Sequence, residues 1–224
     1  MVALLIRSPV RALIAFAALT GARVAALASF RLGHVDLAGG LVEHDARTVR
    51  SKFAKTFPTW FMPIGGDALA ILTNWLAELE RDHLWGRDDP LFPATQMGRD
   101  ANGDFTPVGI LRSGWRTTQP INAIFRRAFE RAGLPYFNPH SFRDMLVRHA
   151  ITLGLSAESM KAWSQNLGHA DVLTTFTSYG TVPLHRQGEL IRAARAGSAE
   201  RGAAARTGDA DIIALARAVI ERGA

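Results

Sequence analysis

Apolar side chains recur at three- and four-residue spacing through most of this sequence, and the window from Leu41 to Ile64 switches to short β-favouring runs. That pattern predicts a mainly α chain carrying a small three-stranded antiparallel β-sheet, an α+β class. The strand candidates are Leu41-Val42-Glu43, Thr48-Val49-Arg50 and Thr59-Trp60-Phe61-Met62, separated by His44-Asp45-Ala46 and by a turn near Lys52 to Pro58. Helical spacing covers Met1 to Ala22, Arg23 to about Phe30, and Asp67 to His83 with Leu69, Leu72, Trp75, Leu76 and Leu79 on one side. It returns in four successive segments, Pro120 to Gly133, His140 to Leu153, Ala157 to Leu167 and Val172 to Tyr179. Thr20-Gly21 reads as a helix stop and Ser156 as an N-cap. Trp85 to Gln119, dense in Gly, Pro and Asp, reads as a long surface loop.

The first 22 residues are apolar, yet Arg7, Pro9 and Arg11 interrupt them, and the longest uncharged run is the 11 residues from Ala12 to Ala22. That is too short to span a bilayer and too broken for a signal segment, so a buried helix is expected. Near the other end, Ala196 to Gly208 has the composition of a flexible linker, and Asp211 to Glu221 reads as an amphipathic helix.

The chain contains no cysteine, which removes disulfides, thiolate metal sites, iron–sulfur clusters and cysteine nucleophiles. No HExxH, GxxxxGK[ST] or DxDxDG motif is present, nor a GxGxxG following a strand, and no two of the seven histidines lie three to five residues apart. The net charge of +6 and an isoelectric point near 10.6 suit a polyanionic partner, either nucleic acid or an acidic membrane surface.

Of the 26 basic residues 23 are arginine, so Lys52 and Lys55, close together, stand out. Lysine can surrender a proton when its pKa is lowered and arginine cannot, which makes a retained lysine a candidate general acid, against chance retention. Arg23 follows a helix-ending glycine amid Ala and Val neighbours, a costly place to bury a cation unless an anion is bound there; the alternative is a surface arginine. His140 and Arg143 lie three apart at the start of a helix, where anions are favoured. Tyr179 gains interest only if arginine and histidine donors stand near its phenol.

Taken in order, Thr20-Gly21-Ala22-Arg23, Lys52-Phe53-Ala54-Lys55, His140-Ser141-Phe142-Arg143, Leu167-Gly168-His169 and Thr177-Ser178-Tyr179-Gly180 resemble the tyrosine recombinase (phage integrase) family. The resemblance implies a catalytic domain over residues 1–195, followed by linker and helix over 196–224. It implies DNA cleavage and rejoining through a 3′-phosphotyrosyl intermediate, with no metal and no nucleotide cofactor. Tyr179 is then the nucleophile, and Arg23, Arg143 and His169 hold the scissile phosphate. His140 acts in proton transfer or phosphate orientation, Lys52 protonates the 5′-hydroxyl leaving group, and Lys55 touches the DNA backbone. The implied partners are double-stranded DNA, bound as a homotetramer, and accessory DNA-bending proteins, with no membrane; the implied location is cytoplasmic, at a prokaryotic or phage nucleoid.

Three features depart from the family pattern. Many members carry an acid within three residues of the first arginine, where this chain has Val24, Ala25 and Ala26. His169 and Tyr179 lie ten apart, one more than in many members. Only 22 residues precede Arg23, so the N-terminal clamping domain is expected to be absent. The rival readings are a catalytically silent DNA-binding remnant and, from the apolar N-terminal segment, a membrane-surface protein. The terminal helix would dock on a neighbouring protomer or on its own domain.

Overall fold

A computed structural model describes residues 2–51, 55–99, 102–169, 185, 187–189 and 191–192, with main chain alone for 2–7. The chain divides into two compact units, residues 1–179 and 180–224, and every element described here belongs to the first. Helix α1 (Val2–Thr20) precedes the single-turn α2 (Val24–Leu27), three short strands β1 (Val35–Asp36), β2 (Leu41–His44) and β3 (Phe57–Trp60), and helix α3 (Ala68–Asp82). A hairpin, β4 (Thr95–Arg99) and β5 (Phe105–Ile110), then leads to α4 (Gln119–Arg131), α5 (Ser141–Thr152) and α6 (Ala157–Asn166). The chain is therefore mainly α with small antiparallel sheets, as the periodicity predicts.

Helix α1 packs against α3, α4, α5 and β5. Phe16, fully buried, meets Phe30 and Phe92 edge-on at ring-centroid distances of 5.2 and 5.3 Å. Leu72, Trp75 and Leu79 of α3 complete this core, and Trp75 Nε1 satisfies itself by donating to the Leu91 carbonyl at 2.9 Å. A second, smaller core forms where α5 and α6 meet, around Leu146, Val147, Met160 and Trp163. Among the described residues no helix is long and apolar enough to cross a membrane.

The structure corrects two strand expectations. The three-stranded sheet has the order β1-β2-β3, with Val35 opposite Val42 and Thr59 also opposite Val42 from the other side. Thr48-Val49-Arg50 is not a strand. Asp45 takes over that segment, its carbonyl accepting from Thr48 N at 3.0 Å and Val49 N at 2.7 Å, while Val49 turns into the core. The Arg50 guanidinium spans to the carbonyls of Ala28, Trp115 and Arg116, contacts that override a local β preference. The loop expected over Trp85 to Gln119 contains the β4-β5 hairpin, its register shifted between Gln96 and Met97. Gly98 and Pro107 sit inside these strands and hide the alternation, and a ribbon with no fully buried residue shows no clear apolar face to read.

Ser156 caps α6 as expected, accepting from Ser159 N at 3.1 Å. Ser156→Ala should lower stability by about 1 kcal/mol, measured as a shift in the denaturation midpoint. The helix expected over Val172 to Tyr179, the linker over Ala196 to Gly208 and the terminal helix lie outside the described residues.

Candidate functional site

The site is built where α1 ends. Thr20 Oγ1 donates to the Phe16 carbonyl at 2.7 Å and accepts from Ala22 N at 3.1 Å, so one hydroxyl both finishes the helix and sets the turn. Gly21 takes φ +59°, and a Cβ placed there would lie 2.8 Å from Leu167 Cδ2 and 3.0 Å from Leu146 Cδ1. Glycine is thus required both by backbone hand and by the close approach of α5 and the end of α6. The turn delivers Arg23, in extended backbone, to the N-cap position of α2. Arg23 is partly buried and makes no ion pair among the described residues.

Arg143 approaches from the first turn of α5. It is 4% exposed, and its Nη1 donates to the Gly21 carbonyl at 2.7 Å while Nη2 donates to the Leu167 carbonyl. Two of five guanidinium N–H groups are used in this way, which leaves others for a ligand. Burial, and then the charge of Arg23, hold its pKa down to about 10. Burial lowers Arg23 as well.

Arg23 and Arg143 line one pocket with Thr20, His44, Ser51, Phe57, Thr59 and Leu167, and no carboxylate lines it. Two guanidiniums that repel one another, one buried and one partly buried, without an acid between them, create a site for an anion. His169 follows Gly168, whose φ is +68° and whose added Cβ would lie 2.9 Å from the Phe57 ring. Burial first, then Arg143, Arg23 and His140, push the His169 pKa down to about 4, so its imidazole is neutral at pH 7. His140 is exposed at the α5 N-cap, its N–H donating to Asn138 Oδ1 at 2.9 Å.

The structure therefore gathers Arg23, Arg143, His169 and His140 from segments up to 146 positions apart into one electrostatic cluster. Lys55 is exposed on the loop between β2 and β3, its carbonyl accepting from Ser51 Oγ at 3.1 Å. Lys52 and Tyr179 lie outside the described residues. Among the described residues no group of three or more His, Asp or Glu is gathered as metal ligands would be.

Two members escaped the sequence reading. His44 was set between strands, yet it ends β2 and shares the inward face with Val42, two positions earlier; continuing the strand alternation by one residue would have found it. Its ring is 5% exposed, and burial, then Arg143 and Arg23, hold its pKa down to about 4. The unfolded chain takes up this proton near pH 6.5 and the native fold only near pH 4. Stability is thus fully present above about pH 6.5 and should fall as pH drops through that window, by up to about 3 kcal/mol. Denaturation midpoints between pH 7 and pH 4 would show it, with the slope reduced in His44→Phe.

Asn166 is the other. Its Oδ1 accepts from Trp60 N at 2.7 Å, its Nδ2 donates to the Trp60 carbonyl at 2.9 Å, and its own carbonyl accepts from Thr59 Oγ1 at 3.1 Å. The side-chain amide completes the edge of β3 as a neighbouring strand would, and fixes the next residues, Leu167 to His169, against the sheet. Asn166→Ala should cost about 1–2 kcal/mol, read by thermal melting, because it leaves the Trp60 amide and carbonyl without these partners. Nothing in the local sequence announces such a pairing, since the partners lie 106 positions away.

The sequence matches the Phage integrase family over residues 6–183. A tyrosine recombinase XerC of Pseudomonas entomophila (strain L48) is 29% identical over 157 residues, covering 70% of this chain and 42% of that protein. Another, of Pseudomonas putida (strain W619), is 27% identical over 156 residues with the same coverage. The chain spans about two-fifths of the length of these curated relatives. In fold it is similar to the crystal structure of XerA recombinase, with a TM-score of 0.57 at 22% identity, covering 84% of this chain and 57% of the other.

Proposed function

This chain belongs to the phage integrase family, and from that premise we propose that it acts in site-specific DNA recombination, cleaving and rejoining DNA through a 3′-phosphotyrosyl intermediate. The observation that carries the reading is the pocket in which Arg23 and Arg143 converge without a carboxylate. A phosphodiester is the anion that such a pair suits, since guanidinium forks match its non-bridging oxygens. Attack by a phenolate builds further negative charge at phosphorus, and donors fixed beforehand lower that barrier.

In this reading the Tyr179 oxygen attacks the scissile phosphorus, forming the tyrosyl ester as the bond to the 5′-oxygen breaks. Arg23 and Arg143 hold the non-bridging oxygens. His169, neutral at pH 7, donates a third hydrogen bond, and His140 takes the phenol proton or orients the phosphate. Lys52 gives a proton to the departing 5′-oxygen, and Lys55 meets the DNA backbone. Rejoining is the same reaction reversed by another 5′-hydroxyl, so the energy of the broken bond is kept in the ester, and the scheme calls on no metal or nucleotide. Residues 1–195 form the catalytic domain, 196–224 its linker and terminal helix. The assembly is a homotetramer on two duplexes, aided by DNA-bending proteins.

The test is a nicked suicide duplex carrying a recombination site that the protein binds, resolved on a denaturing gel. Wild type is expected to give a covalent band that Tyr179→Phe lacks. DNA binding with salt-dependent affinity but no band would sink the reading in favour of a binding remnant.

A further inference from the structure

His44 has no task in the scheme above, yet its surroundings give it one. Phe57 stacks on its ring at a centroid distance of 4.3 Å and 9° between planes, and Phe30 meets it edge-on at 5.0 Å, so the imidazole is held in one plane. Its Nε2 is buried with no hydrogen-bond partner, a condition native folds avoid unless the group has a use. No pocket hydroxyl bonds to it: that of Thr20 is engaged with Phe16 and Ala22, that of Thr59 with the Asn166 carbonyl and that of Ser51 with the Lys55 carbonyl, and the charged walls are two arginines, which only donate.

We infer that His44 is a further side chain on the anion held by Arg23 and Arg143, beside the His169 donor of the scheme above, a neutral imidazole donating an N–H to a non-bridging phosphate oxygen. The inference rests on the phosphodiester reading and adds a contacting residue to it. A phosphate supplies the acceptor that Nε2 is without. Burial and the neighbouring guanidiniums keep the ring uncharged, so it enters as a hydrogen-bond donor without adding a third positive charge to Arg23 and Arg143. The role fits a site in which Ala26, on the pocket wall, brings no side-chain polar group of its own.

Nuclear magnetic resonance on the full chain, with ¹⁵N in histidine and arginine, tests this without requiring turnover. Inorganic phosphate, then a DNA duplex, should shift Arg23 Nε and the His44 ring nitrogens together and saturably. Movement of Arg23 with His44 unmoved overturns the inference alone; if neither moves, the phosphate reading of the pocket fails with it. A second arm uses the suicide duplex. His44→Phe keeps the ring packing and should slow adduct formation about 10²-fold, while His44→Gln, which restores an N–H near Nε2, should stay within a few-fold of wild type. A Phe variant as fast as wild type, or a Gln variant as slow as the Phe variant, overturns it. Should the Phe variant not fold, the Gln variant and the resonance titration decide.

Discussion

Arg143→Ala is expected to abolish strand cleavage and also to weaken the fold. The guanidinium binds the carbonyls that close α1 and α6, so truncation leaves Gly21 O and Leu167 O unpaired inside the protein. At about 1–3 kcal/mol for each unsatisfied buried group, and with some relief from removing the repulsion against Arg23, the net loss should be about 2–4 kcal/mol. Cleavage on the suicide duplex should fall by at least about 10³-fold, because the proposed scheme makes this guanidinium a donor preset for the transition state. Arg143→Lys separates the two effects: an ammonium reaches one carbonyl or the other but cannot span both as a planar fork does. It should recover part of the stability and little of the cleavage. An alanine variant with an unchanged denaturation midpoint would show that the two carbonyls find other partners.

Gly21→Val is the second large effect. The left-handed backbone costs a branched side chain about 1–2 kcal/mol, and the new methyls collide with Leu167 and Leu146, an overpacking worth about 1–3 kcal/mol more. The sum, about 2–5 kcal/mol, is comparable to the whole margin of many domains, and soluble yield together with the melting temperature would register it. A smaller loss is expected for Gly21→Ala. If both variants melt with wild type, the close approach of α5 and α6 to this turn is wrong.

The same turn shows what the sequence could tell. A helix that stops at Thr20-Gly21 and hands over an arginine is local information, as are the Ser156 cap and the apolar stripe of α3, and each is found where expected. An ordered set of short motifs names Arg143 and His140 as candidates. Nothing local names the carbonyl partners of Arg143, since Gly21 is 122 positions away and Leu167 is 24. Thr48-Val49-Arg50 failed because its β preference is intrinsic while the Asp45 turn and the reach of Arg50 are tertiary. The β4-β5 hairpin failed for the opposite reason: none of its strand residues is fully buried, so burial leaves no alternating imprint on them. His44 was missed by one residue of strand.

The structural task of Arg143, added to the catalytic one the proposed scheme gives it, bears on how such a chain would drift. A copy released from selection for cleavage would still be under pressure to keep an arginine at this position, because folding alone asks for it. Arg23 has no such anchor, and its charge is a burden to a fold with nothing to bind. Under the proposed scheme, loss of function should therefore be recorded first at position 23, where arginine would have only DNA to hold, while position 143 stays unchanged long after the chemistry has ceased.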